Sequence, residues 1–94
     1  MKLPNTVIFS IQQLSISGTP DFIICCSGVF LALELKATAK SRVSKLQAYN
    51  LKKINDSKGV GMVVHPDNWK EALEFITELS LVHIYNGNSN DFSS

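Results

Sequence analysis

Little in this 94-residue chain is of the kind that staples, spans or strongly charges a protein. There are only two cysteines, Cys25 and Cys26, and they are adjacent. Neighbouring strand residues point to opposite faces, so the two are badly placed to bridge each other. Neither belongs to a CxxC pair or a Cys/His cluster, which argues against a zinc site, and buried free thiols fit a reducing compartment. No apolar run approaches the roughly 18 residues of a membrane span, and the first residues lack the basic-then-apolar order of a secretion signal. A cytoplasmic protein without a membrane partner is expected. The net charge is only +1, which alone says nothing about nucleic acid.

What the chain does have is an ordinary globular composition, 45% hydrophobic and 18% charged. Its length suits one domain whose core is near the lower practical limit. Residues 1–86 are expected to form that domain and residues 87–94 a loose polar tail. The charges are unevenly spread. Lys36, Lys40, Arg42, Lys45, Lys52, Lys53 and Lys58 stand against the single acid Asp56, and beyond Gly59 the balance reverses. Such an asymmetry can orient a polyanion, or it can be a solvated helix face.

Patterning gives the order β-β-β-α-β-α-β. Thr6 to Ser17 reads as a strand, perturbed at its two glutamines, and Ser17-Gly18-Thr19-Pro20 as a turn. Phe22–Cys26 and Val29–Lys36 read as strands of a hairpin closed by Ser27-Gly28. Val43, Leu46, Leu51 and Ile54 recur at helical spacing, with Ser41 or Ser44 as cap and Gly59 as stop. Val60–Val64 is a short buried strand. Trp69, Ala72, Leu73, Ile76 and Leu79 form the inner face of a second helix, with Glu71, Glu74 and Glu78 outside. Leu81–Tyr85 reads as a last strand. The expected fold class is α/β, with a mixed central sheet flanked by two helices.

The hairpin carries a geometric consequence. If Ser27-Gly28 is a two-residue turn, Cys26 faces Val29, and continuing the register sets Asp21 opposite Glu34. A symmetric four-residue loop keeps that register, and a three-residue loop would shift it. Directly opposed carboxylates, with Cβ atoms about 5 Å apart, repel unless a cation sits between them. A divalent ion such as Mg²⁺ takes carboxylate oxygens and keeps several waters. Glu34 and Lys36, two apart, share a strand face, while Leu33 and Leu35 point into core. A lysine beside such a site can orient an attacking water and balance charge developing on phosphorus.

Gly18-Thr19-Pro20-Asp21, twelve intervening residues after Asp21, and then Glu34-Leu35-Lys36 resemble the signature of the PD-(D/E)xK nucleases. The glycine before Pro-Asp, and Gln47 in the helix after the lysine, look most like their virus-type replication-repair branch. The resemblance covers about Gly18 to Val64. It implies a small restriction-endonuclease-like core and a Mg²⁺-dependent endonuclease (Mn²⁺ as a substitute) acting on DNA, branched or junction DNA included. Asp21, Glu34 and the Leu35 carbonyl would be metal ligands, Lys36 the catalytic lysine, and Gln47 a neighbour of metal and scissile phosphate. Relatives commonly supply a further acid upstream, whereas no Asp or Glu precedes Asp21 here. One or two metals, and completion of the site by another subunit, stay open.

Lys40, Arg42, Lys45, Lys52 and Lys53 are the candidate phosphate contacts. His65 reads as a loop residue rather than a general base, Trp69 as core, and Tyr49 as either a stacking or a surface residue. A homodimer is expected, because the core is small and a duplex has two strands to cut; Val7-Ile8-Phe9 and Val82–Tyr85 are the candidate contact strands. The competing readings are a non-cleaving DNA-binding module of the same fold and a purely structural protein in which the Asp21–Glu34 pairing is accidental.

Overall fold

Ser27 and Gly28 both take positive φ, 50° and 83°, the backbone of a two-residue turn whose twist matches paired strands. In the computed structural model, which describes residues 3–11 and 18–82, this turn joins β2 (Phe22–Cys26) to β3 (Val29–Leu35). The expected register holds from Cys26↔Val29 to Phe22↔Leu33. On the other side of β2 lies β1 (Thr6–Ser10), antiparallel. After α1 (Lys45–Asp56), the chain returns as β4 (Val60–Val64), parallel to β3, and ends its described part with α2 (Trp69–Ser80). The domain is thus α/β, a four-stranded mixed sheet in the order β1-β2-β3-β4 with two helices.

Alternation along β3 divides the core between the two faces of the sheet. Leu31 and Leu33 join Ile24, Cys26 and Val64 under Ala72 and Ile76 of α2. Burial of a leucine such as Leu31, which has no exposed surface, contributes about 2 kcal/mol. The opposite face, with Ala32 and Glu34, lies under α1, whose Leu51 is buried and approaches the backbone of Gly61. Asn5 ties the start of β1 to the end of α2, its amide donating to the Ser80 carbonyl at 3.0 Å.

Several expectations are corrected. The first strand ends at Ser10, and residues 12–17 lie outside those described. Val43 precedes α1 rather than belonging to it, because Ser44 caps the helix in a full capping box with Gln47. Gly59 does not supply the left-handed stop. Lys58 does, with φ 75°, while its amide donates to Asn55 and that of Gly59 to Ile54, the paired bonds of a Schellman ending. Gly59 is needed for closeness instead: a Cβ there would lie 2.9 Å from the Phe30 carbonyl oxygen of β3.

Leu81 and Val82 form a helical turn, not a strand. The buried stripe Ala72, Ile76 and Ser80 carries the helix that far, and the Leu81 and Val82 amides donate back to Glu78 and Leu79. The remainder of the expected last strand, and the tail, lie outside the described residues. Leu35 is not core: it is the last residue of β3 and α2 does not reach over it, so it is exposed. Cys26 is fully buried but Cys25, on the uncovered part of the other face, is exposed; both are free. Among the described residues no helix is long and apolar enough to cross a membrane.

Candidate active site

The parallel strands β3 and β4 end side by side, Leu35 against Val64, and the Lys36 amide extends the pairing by donating to the Val64 carbonyl at 2.8 Å. The carboxyl ends of parallel strands are where open α/β sheets present binding groups. Because α1 makes the crossover between them, its first turn comes back to this same end. Asp21, Glu34, Lys36 and Gln47 meet there.

Asp21 arrives on a loop fixed to the helix. Gly18 has φ 78°, and a Cβ on it would sit 2.5 Å from the Leu46 side chain and 2.9 Å from Asn50 Nδ2. Only glycine lets the loop lie this close, and the Asn50 amide seals the contact by donating to the Gly18 carbonyl at 2.9 Å. Asp21 itself stands just outside the β2 ladder. Its amide donates to the Leu33 carbonyl at 2.9 Å, and its carbonyl accepts from Ile11. Its carboxylate reaches across to β3, where Oδ2 accepts from the Leu35 amide at 2.7 Å. The Leu35 group in contact with Asp21 is therefore the amide.

Glu34 is buried, with 4% of its surface exposed. Its carboxyl is held above the ordinary value of 4.5, first by burial, then by the negative charge of Asp21 and a hydrogen bond with that carboxyl, while Lys36 pulls the other way. Two acids thus crowd one spot. Gln47 holds one side of it: its Nε2 donates to Glu34 Oε2 at 2.8 Å, and its Oε1 accepts from Lys36 Nζ at 3.0 Å and from the Ser44 amide at 2.9 Å. Lys36 Nζ lies 3.9 Å from Glu34 Oε2, and its side chain is largely covered. The lysine is thus locked between strand and helix.

No family model, curated protein or solved structure matches this chain. What the site can do is therefore argued from its own chemistry. It offers two hard oxygen donors of like charge, one cation, and an amide that orients one member of each. Among the described residues there is no group of three or more His, Cys, Asp or Glu side chains placed to hold a metal, so a cation here would have two carboxylates and otherwise backbone or water.

The basic residues are not gathered at this site. Lys40 and Arg42 ride the connection that leaves Lys36, a turn knotted by Thr38 and Ser41, whose hydroxyl accepts from the Thr38 amide at 3.0 Å. Lys45 opens α1, in the same first turn as Gln47. Lys52 and Lys53 lie about 8 Å further along the axis than Gln47 and on the outer face. Lys52 pairs with Asp56 at 2.7 Å, and Lys53 sits 5.5 Å above the exposed Tyr49 ring. His65 is a loop residue, as expected; its Nδ1 accepts from the Asp67 amide at 3.2 Å.

Trp69 departs from expectation: it is 47% exposed. It occupies the first turn of α2, before the first buried residue Ala72, and borders a groove with Leu35 and Val64, the last residues of β3 and β4. Sequence reading also passed over Asn50. The signal was present, since Asn50 is three residues beyond Gln47 and such residues share a helix face.

Proposed function

We propose that the chain is a metal-dependent endonuclease with a restriction-endonuclease-like core, of the PD-(D/E)xK type that its motifs resemble. The observation that carries this reading is the meeting of Asp21, Glu34 and Lys36 at one strand end, with Gln47 bonded to two of them. A buried glutamate crowded by a second acid is a costly arrangement for structure alone. It suits a site that takes up a divalent cation.

The donor set fits Mg²⁺, which binds through one or two carboxylates and retains water, with Mn²⁺ as the natural substitute. Asp21 and Glu34 would hold it, with the Leu35 carbonyl as a further ligand. Bound there, the ion would supply Lewis acidity and a more acidic water. Two acids and, among the described residues, no third favour one ion over two. Lys36, fixed by Gln47, orients the attacking water and offsets the negative charge that builds on the phosphoryl oxygens. Water adds to phosphorus and gives up a proton to solvent as one P–O ester bond breaks, and the leaving ester oxygen takes up a proton from solvent and departs as an alcohol.

The substrate on this reading is DNA, branched or junction DNA included, which follows the resemblance; a homodimer would cut it, since the core is small and a duplex has two strands to cut. The same shortage of acids supports a second reading, a DNA-binding module that keeps the fold and does not cut. Labelled four-way junction, flap and linear duplexes, incubated with Mg²⁺, Mn²⁺ or EDTA, separate the two. Cleavage that needs the ion and falls at least a hundred-fold in Lys36→Ala supports the nuclease, since removing one such charge-stabilising donor costs about 10²–10³ in rate. Binding without cleavage under every condition supports the module.

A further inference from the structure

Two side-chain amide nitrogens leave the same side of α1, about one turn apart, and neither serves the helix. That of Gln47 donates to Glu34 on β3 at 2.8 Å, and that of Asn50 donates to the Gly18 carbonyl at 2.9 Å. We infer that Asn50 is a positioning residue: through Gly18 it sets Asp21 against the Glu34 side of the site, and thereby tunes the affinity for the divalent ion. The inference rests on the metal-dependent reading.

The sheet holds Asp21 by its backbone. Its amide donates to the Leu33 carbonyl and its carbonyl accepts from Ile11, while the Leu35 amide aims the carboxylate at 2.7 Å. Those bonds fix Asp21 to its strands and leave its distance from α1 unset. Glu34 and Lys36, by contrast, are both bonded to a residue of α1. Apart from the hydrogen bond that the two carboxyls share, a tie between these halves of the site runs through Gly18, three residues before Asp21. The loop there lies so close to the helix that a Cβ would stand 2.5 Å from the Leu46 side chain. Leu46 gives that contact closeness without direction. Asn50 supplies the direction, because its amide must meet one carbonyl oxygen. Pro20 lies between the two points, and its fixed φ passes a shift at Gly18 on to Asp21.

Asparagine is also a weak helix former, since its side chain competes for backbone groups. Its place in the second turn of α1 therefore works against the helix, and the loop contact offsets this. Groups behind the ligands of a metal site orient them, and losing one weakens binding by about 10–100-fold. Asn50 acts through the loop, one step further back, so the lower end of that range is expected.

The test measures Mn²⁺ binding to the whole chain without DNA, from the electron paramagnetic resonance of the free ion. Asn50→Ala and Gly18→Ala should each bind Mn²⁺ about ten-fold more weakly than the wild type. The Mg²⁺ concentration for half-maximal cleavage of a labelled four-way junction should rise by the same factor, with the rate at saturating Mg²⁺ nearly kept. The double variant should bind no more weakly than Gly18→Ala, because both changes break one contact. Coupling is reciprocal, so in the wild type Mg²⁺ should slow hydrogen exchange at the Asn50 side-chain amide. It should not do so at Asn55, whose amide bonds the Gly61 carbonyl further along α1.

Wild-type Mn²⁺ affinity in a folded Asn50→Ala chain, whatever its stability, would overturn the inference. Additive losses in the double variant, or equal slowing of exchange at Asn50 and Asn55, would make the contact one of general stability and overturn it too. If the variants do not fold, exchange in the wild type still decides. Mg²⁺-dependent cleavage with unchanged ion affinity in Asn50→Ala removes this inference alone; a wild-type chain that binds no Mn²⁺ removes the metal-dependent reading with it.

Discussion

The side-chain amide of Gln47 donates to the Glu34 carboxylate at 2.8 Å, from helix to strand. Its other end accepts from Lys36 and from the Ser44 amide. One residue thus closes the capping box of α1 and orients the acid and the lysine of the site. Gln47→Ala should lower stability by about 1 kcal/mol, the usual cost of a lost cap, and slow cleavage at least ten-fold. Ser44→Ala should cost a similar amount of stability but leave cleavage within two-fold. Thermal unfolding and single-turnover cleavage of both variants check this. Equal losses of cleavage would reduce Gln47 to a helix cap.

Glu34 sets the pH dependence. Its carboxyl is held above 4.5 in the fold, so between the unfolded and folded values the native state binds more protons, and stability falls as pH rises. The stabilising contribution is complete below the unfolded value and is lost as pH rises through the folded one. At neutral pH, where the unfolded carboxyl is ionised, Glu34 is then a burden on the metal-free chain. Glu34→Gln should raise its melting temperature at pH 7 and have little effect below pH 4. Mg²⁺ should stabilise the wild type, increasingly with pH because its binding displaces the proton, and should not stabilise Glu34→Gln. A lower melting temperature for Glu34→Gln at pH 7 without metal would refute the account.

The first four strands along the chain and the turn at Ser27-Gly28 were legible because local rules govern them: alternation fixes faces, and a two-residue turn fixes register. The convergence of Asp21 and Glu34 followed from that register. Less visible was how the loop is seated. The Gly18–Asn50 contact joins residues 32 apart, and no local pattern announces it. Ends of elements misled most, as with Trp69, whose place in the apolar stripe says nothing of whether the sheet extends beneath it. At Lys58 propensity lost to packing: glycine follows at 59 because β3 is near, so lysine takes the left-handed position. Lys58→Gly should therefore stabilise the chain by about 1 kcal/mol, read by denaturant midpoint with unchanged slope.

The lysines divide into two groups that the sequence treats alike. Lys40, Arg42 and Lys45 lie on the connection and first turn next to the site, whereas Lys52 is paired with Asp56 and both Lys52 and Lys53 face outward at the far end of α1. Neutralising Lys40, Arg42 and Lys45 together should lower the slope of log affinity against log salt by about 0.9 per lost phosphate contact on duplex DNA. Neutralising Lys52 and Lys53 should change it by less than one contact. The reverse ranking would move the binding surface to the outer face of α1.

The two edges of the sheet differ in a way that bears on assembly. At β4, Asn55 behaves like a neighbouring strand: its Oδ1 accepts from the Gly61 amide at 2.9 Å and its Nδ2 donates to the Gly61 carbonyl at 3.2 Å. Asn68 does the same for the Val63 carbonyl and the His65 amide. Side chains therefore occupy that edge, and it is closed to another strand. At β1, Asn5 and Ile11 bond inward to Ser27 and Asp21, so by alternation Val7 and Phe9 also face β2 with their main-chain groups. The main-chain groups of Thr6, Ile8 and Ser10 point outward, and among the described residues no strand meets them. Val7, Ile8 and Phe9 are all at least half exposed. An edge of that kind invites pairing. Because only one edge is open, pairing of two β1 strands about a two-fold axis closes on itself and gives a dimer, not a fibre. Sedimentation at micromolar concentration should give twice the 10.4 kDa chain mass. Ile8→Pro removes one outward N–H while sparing the bonds to β2, and should yield a folded monomer. Asn55→Ala uncovers the β4 edge and should yield larger assemblies. A wild-type mass of 10.4 kDa at that concentration, or a dimer unaffected by Ile8→Pro, would show that β1 is not the contact.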